Sequence, residues 1–198
     1  MPPIMKEDLD WMRSPESAES GYNEAQIKIY EQIFRKKQDL EARINSAFDG
    51  VVLGEGVGII EADKRDTCFD PEKLKCAREK DERQSWRVFT KDDLYRYSSA
   101  LSYTDAEGFR FMIPAFMLGD LSCLLDESTL IHLSLVRDDS HDRYSMLNAT
   151  QLATIINFLE LYREDPDSKF HHETIDQALA VFWKPRLMEK LDAGKNKP

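Results

Sequence analysis

The stretch 108–125, which reads GFRFMIPAFMLGDLSCLL, constrains the fold of this chain more than any other segment. Its apolar side chains need a protein core, because the stretch lacks the roughly 18–20 successive apolar residues of a membrane-spanning helix. Apolar residues alternate with Arg110 over 109–113, which predicts a strand with one buried face. Pro114 ends that alternation and suits the first turn of a helix. We therefore predict a strand-to-helix joint before Pro114 and a buried helix over 115–125.

Composition limits the class of protein. The chain has 198 residues, with 37 Asp and Glu against 27 Lys and Arg, and a net charge of −10. This length suits one domain of about 100–200 residues. Its 3 cysteines are too few for a disulfide scaffold. The acidic balance argues against direct nucleic-acid binding. We expect an acidic cytoplasmic protein without a signal peptide, membrane segment or cofactor.

The charge pattern divides the chain. Through Glu24 it carries six acids and two bases, so we predict an N-terminal acidic arm over residues 1–22. The arm is either a short docked helix or a flexible leader. We predict one globular domain over 23–192, followed by a frayed basic tail over 193–198.

Local signals predict where several helices begin. Asn23 is a candidate N-cap for a long helix ending near Phe48, and Asp70-Pro71 is a typical N-cap followed by a first-turn proline. Thr90 and Asn148 each open a capping-box pattern. A last helix is predicted from His172, with a break or kink at Lys184-Pro185.

These elements favour an α+β fold, mainly helical, with a small sheet. The candidate strands are 51–60, 86–89 and 109–113, with 130–136 as a further candidate. An all-α fold is the alternative. The three glycines of 51–58 predict a turn, because a phosphate-binding loop would continue with Lys and then Ser or Thr.

One acidic loop has the composition of a cation site. Carboxylate oxygens bind hard divalent cations, and a histidine can add a nitrogen ligand. The weak candidate ligands are Asp138, Asp139, His141 and Asp142. An exposed loop has the same composition, so we favour no metal site here. A metal-dependent hydrolase would need these side chains to meet His171 or Glu61.

Two residues are candidates for binding. Arg110 is expected to form an ion pair with Asp105 or Glu107, or else to hold an anionic ligand through its guanidinium. Trp86, in the extended segment predicted at 86–89, is the second candidate. Adjacent His171 and His172 start a predicted helix and are expected to have a capping and surface role.

Several motifs together resemble a known family. They are Ala47-Phe48-Asp49-Gly50, Glu61-Ala62-Asp63, Trp86, Leu101-Ser102-Tyr103, EGFRFMIPAF at 107–116 and LNATQ at 147–151. The sequence is similar, over roughly 40–183, to a bacterial family known only as a domain of unknown function. This resemblance implies one compact bacterial domain and supplies no catalytic residue.

The sequence favours a non-enzymatic interaction module, because it contains no catalytic motif and its acidic surface could attract a basic protein partner. One alternative is the small metal-dependent hydrolase that uses the loop 138–142. The other is an immunity-like inhibitor that imitates nucleic-acid charge through residues 61–82. Eight acids and seven bases over 61–84 weigh against this last hypothesis. The oligomeric state is left open.

Overall fold

The computed structural model describes residues 5–15, 17, 22–68, 70–135 and 140–195, without the side chains of residues 140 and 141. In these residues the α-helices are α1 (Lys6–Met12), α2 (Glu24–Ala47), α3 (Ile59–Thr67), α4 (Pro71–Arg78), α5 (Lys91–Arg96), α6 (Ala106–Leu121), α7 (Ser128–Ser134), α8 (Ser140–Arg143), α9 (Ala149–Glu164), α10 (His172–Ala178) and α11 (Lys184–Lys195). Short 3-10 helices cover Trp86–Val88, Ala100–Tyr103 and Pro166–His171.

The predicted small sheet is wrong, and the all-α alternative fits. No strand occurs in the described part of the chain. Residues 51–58 form an irregular loop, and 86–88 form a 3-10 turn. Residues 109–113 lie inside α6, while 130–134 belong to α7.

Helix α6 explains the error at 109–113. It begins after Asp105, whose Oδ1 accepts the Gly108 N–H at 2.8 Å. The helix is buried around most of its circumference, so its sequence lacks the polar face that identifies a surface helix. Pro114 lies inside it and removes one backbone hydrogen bond, at a cost of about 3 kcal/mol. Burial of the surrounding apolar side chains outweighs this cost.

The predicted helix starts are confirmed. The side chains of Asn23, Thr90 and Asn148 each accept the N–H of the residue three positions later, in a complete capping box. Asp70 accepts the N–H of Glu72, next to Pro71 in the first turn. These caps depend on residues a few positions apart, which is why the sequence predicts them well.

The last two helices are joined by a π-helical turn over Leu179–Trp183, so the chain does not break at Lys184-Pro185, and the kink predicted there stays a prediction. A π turn shifts the hydrogen-bond pattern by one residue. Pro185 then enters the first turn of α11, where no N–H is needed. The helical path therefore continues to Lys195.

The core forms where α6 and α9 pack against α2. Phe48, Phe109, Phe158 and Trp183 are fully buried in it. Helix α1 buries Leu9 and Met12. None of the described helices is long and apolar enough to span a membrane. The boundaries expected for the arm, the domain and the tail stay predictions.

Candidate functional site

A buried acidic cluster lies around the C-terminal end of α6. Its members are Asp120 on α6, Glu127 just before α7, Tyr162 on α9 and Asp165 just after α9. Asp120 and Tyr162 are fully buried, and Asp165 is 2% exposed. All three carboxyl groups act electrostatically on Tyr162 and raise its pKa. Such a concentration of buried acids is unusual in a core.

Asp120 supports the start of α7. Its Oδ2 accepts the N–H of Leu130 at 3.0 Å, while its Oδ1 has no hydrogen-bond partner. Burial raises the pKa of Asp120 to about 7, although the hydrogen bond from Leu130 opposes this change. The neighbouring Glu127 adds to the increase. A considerable fraction of Asp120 is therefore protonated near neutral pH.

Tyr162 places a second unpartnered polar atom in the cluster. Its hydroxyl is buried and has no hydrogen-bond partner. Burial raises the pKa of Tyr162 well above its ordinary value, and Asp120 and Glu127 raise it further. An unpaired hydroxyl and an unpaired carboxyl oxygen are both costly in an apolar interior.

The loop between α6 and α7 supplies Glu127 to this cluster and has an uncommon backbone. Cys123, Asp126 and Glu127 have φ values of 60°, 48° and 62°. This left-handed region costs a residue with a side chain roughly 1 kcal/mol. The Glu127 carboxylate lies 3.1 Å from Nε2 of His171, at the end of the 3-10 helix Pro166–His171. The pair connects the loop to the C-terminal helices.

An aromatic–acidic strip lies beside the cluster and reaches solvent. We define the strip as Trp11, Tyr22, Tyr30, Asp167 and Phe170. Trp11 and Tyr22 meet edge to face at 6.2 Å, as do Tyr22 and Tyr30. The Tyr30 hydroxyl donates to Asp167 Oδ2 at 3.3 Å. Burial and the Asp167 carboxylate raise the pKa of Tyr30 to about 12, so this hydroxyl remains a donor.

The 3-10 helix Pro166–His171 joins the cluster to the strip. Oδ1 of Asp165 accepts the Asp167 N–H at 3.0 Å and so caps this helix. Burial raises the pKa of Asp165 to about 6. Side chains three positions apart are eclipsed in a 3-10 helix, which places Phe170 on the same edge as Asp167. Phe170 is 85% exposed.

The two candidate binding residues from the sequence lie elsewhere. Arg110 is half-buried on α6, its Nε has no hydrogen-bond partner, and neither Asp105 nor Glu107 pairs with it. Trp86 is 2% exposed and donates from Nε1 to the Phe48 carbonyl at 2.9 Å. Binding by Arg110 or Trp86 stays a prediction.

The structure describes only some of the candidate metal ligands. Asp138 and Asp139 lie outside the described residues, as does the side chain of His141, while Asp142 is exposed. His171 is engaged by Glu127. In the described part of the chain, no group of three or more His, Cys, Asp or Glu side chains is arranged to hold a metal ion.

His172 also has structural partners. Its Nε2 lies 3.1 Å from the Asp165 carbonyl, and its Nδ1 lies 3.1 Å from Nη1 of Arg163. The guanidinium can only donate and the carbonyl can only accept, so these contacts select the tautomer with the proton on Nε2. This arrangement ties the start of α10 to the end of α9.

Glu61 is held by two arginines. Its side chain is 5% exposed, and both Arg65 Nη2 and Arg78 Nε donate to it at 2.8 Å. Asp81 caps the same helix by accepting the Ile60 N–H at 2.7 Å. Glu61 therefore ties α3 to α4 through its two arginine partners.

We expect Glu61→Gln to destabilise the fold by about 2 kcal/mol. The change removes the charge that two arginines share, and a broken buried pair costs about 3–5 kcal/mol. Both arginine side chains remain partly exposed, which reduces this cost. Urea unfolding followed by circular dichroism measures the change. Glu79→Gln, on an exposed residue near the end of α4, is the matched control and should change stability little.

Sequence reasoning missed the buried cluster and the strip. Asp120 had a recognisable signal, because it is the one acidic residue in the apolar stretch 108–125. Tyr162 had none, since a tyrosine in the apolar face of an amphipathic helix is ordinary. Phe170 follows the charged segment 163–169, and its neighbours show no apolar residues at helical spacing that would assign it to a buried face. Only its position on the same edge of the 3-10 helix as Asp167 makes it notable.

These features define an all-helical arrangement, in the described residues, that combines a buried acidic cluster with an exposed aromatic–acidic strip. The chain belongs to DUF6714, a family of unknown function, whose sequence profile matches residues 36–187. This match confirms the resemblance to a domain of unknown function and includes the buried cluster, whereas Trp11, Tyr22 and Tyr30 precede it. No curated protein and no solved structure matches the chain significantly.

Proposed function

We propose that this chain is a protein-interaction module that binds a positively charged segment of another protein on the aromatic–acidic strip. The observation that supports the proposal best is the position of Phe170. Its ring is 85% exposed and shares an edge of the 3-10 helix with the Asp167 carboxylate. Aromatic residues are enriched in protein interfaces and often contribute much of the binding energy. A cytoplasmic location belongs to the same proposal.

The chemistry of the strip favours a cation. Ammonium and guanidinium groups bind aromatic faces and carboxylates at the same time. In the folded chain the ammonium of Lys169 already lies 5.4 Å from the Phe170 ring centre. A lysine or arginine of a partner could take an equivalent position. The net charge of −10 would attract such a partner from a distance.

We expect the purified chain to bind a fluorescein-labelled peptide of alternating lysine and glycine, and Phe170→Ala to weaken binding about fivefold. The ring contributes a cation–π interaction of about 0.5–1 kcal/mol at an exposed site. Fluorescence anisotropy measures both affinities. Asp167→Asn should weaken binding to a similar extent and reduce its dependence on salt.

The matched control is Tyr95→Ala, because Tyr95 is 77% exposed on α5, outside the strip. It removes an exposed aromatic ring without touching Asp167 or Phe170. Equal losses for Tyr95→Ala and Phe170→Ala would show that binding is not localised to the strip. The proposal of a cationic partner is contradicted if a peptide with glutamate in place of lysine binds equally well.

A further inference from the structure

A second surface has basic rather than acidic charged side chains in its lining. A groove of about 300 Å³ lies between the 86–94 segment and the C-terminal half of α6. Its apolar lining includes Trp86, Leu94, Leu118 and Leu124. Trp86 and Leu94 are almost fully buried below it, whereas Leu118 and Leu124 are half-buried. The groove therefore has a firm apolar base that remains open to solvent.

The charged side chains that line this groove, in the described part of the chain, are Arg87 and Lys91. Arg87 is held in place, since its guanidinium stacks 4.4 Å above the Trp86 ring and donates to the Asn45 carbonyl at 2.9 Å. Asp49 pairs with Arg87 at 3.1 Å but is largely exposed. Lys91 is exposed and has no ion-pair partner among the described residues.

Neighbouring residues extend the surface. Tyr95 follows Lys91 by one helical turn and is 77% exposed, so it rises beside the groove on the same face of α5. The acids next to Lys91 on α5 keep their charge but do not line the groove. The Oδ2 of Asp93 accepts from the hydroxyl of Thr90 at 2.7 Å and from its N–H at 2.9 Å, which lowers the pKa of Asp93, and Asp92 is exposed. The charged side chains of the groove lining itself are thus basic, over an apolar base.

We propose that this groove docks an apolar, acidic segment of a partner protein. Its apolar side chains would cover Leu118 and Leu124, and its carboxylates would meet Lys91 and Arg87. A helix with leucines on one face and glutamates beside them has this chemistry, and helices commonly bind in apolar grooves. The charge of the rim selects the partner, because an equally apolar segment with lysines would be repelled.

Two fluorescein-labelled peptides test the proposal. Both carry leucines at positions i, i+3, i+4 and i+7, one with glutamates and the other with lysines at the remaining positions. We expect the chain to bind the glutamate peptide at least about tenfold more tightly than the lysine peptide. Lys91→Glu should remove most of this preference. Lys91 is the first residue of α5, where a glutamate is favourable, so the variant should fold.

Lys75→Glu is the matched control, because it makes the same change of charge at an exposed position on α4. It should leave the preference unchanged. Leu118→Glu should abolish binding of the glutamate peptide, with circular dichroism as the check on folding. The proposal is overturned if neither peptide binds, if the lysine peptide binds as well, or if Lys75→Glu and Lys91→Glu have equal effects. Phe170→Ala should not alter this binding, so the two proposed surfaces succeed or fail separately.

Discussion

Gly108→Ala is expected to destabilise the fold by about 3 kcal/mol or more, although alanine is the better helix former by about 1 kcal/mol. A Cβ at this position of α6 would lie 2.1 Å from the carbonyl oxygen of Val57. The obstacle is backbone, so no side-chain rotation relieves it. The 51–58 loop would have to move away from Asp105, which accepts the Val57 N–H at 3.1 Å.

The matched control for that substitution is Gly194→Ala in α11. A Cβ there would meet nothing within 4 Å, and the helix should gain slightly from its propensity. Urea unfolding followed by circular dichroism gives both free energies. If the two glycine variants are equally stable, the tight contact between α6 and Val57 is not a constraint on the fold.

Asp120→Asn is expected to leave stability nearly unchanged near pH 4 and to increase it as pH rises above about 7. The folded chain holds the Asp120 proton up to a pKa of about 7, whereas the ordinary value is 3.8. Between these values the folded state binds more protons than the unfolded state, so this residue makes stability fall as pH rises from about 4 to 7. Above pH 7 its charged form costs on the order of 4 kcal/mol. Asparagine carries no such charge.

The asparagine variant should therefore be close to the natural chain in stability near pH 4 and more stable near pH 8. Urea unfolding at a series of pH values measures the difference between the two chains, which removes contributions that Asp81 and Asp165 make to both. Asp126→Asn is the control, since Asp126 is exposed in the same loop and asparagine tolerates its left-handed backbone. Parallel curves for the natural chain and Asp120→Asn would show that Asp120 is not held neutral by burial.

The helix starts could be predicted because their causes are local. Asn148 and Gln151 bond to each other's backbone within one turn, and Thr90 and Asp93 do the same. The secondary structure of 109–113, which was predicted to be a strand, could not be assigned from such local signals. A fully buried helix needs apolar residues on every face, so any alternation within it arises by chance and imitates a strand.

The candidate site could not be predicted because its members are far apart in the sequence. Tyr30 and Asp167 are separated by 137 positions, and Glu127 and His171 by 44. Asp120 is an acid in an apolar stretch, a signal that the sequence predictions did not use, and nothing nearby in the sequence indicates Tyr162 or Asp165 as its neighbours. Packing of α6, α7 and α9 brings them together.

The helix caps, the excess of acids and the need to bury most of 108–125 follow from the residues alone, since each depends on residue type and short spacing. That this stretch is helical is visible only in the folded chain. The same holds for the cluster of Asp120, Glu127 and Asp165 and for the apolar groove that Arg87 and Lys91 border. Both depend on how helices pack, because packing sets which buried charges meet and which shape a groove takes. Helix packing is set by contacts between residues that the chain order separates.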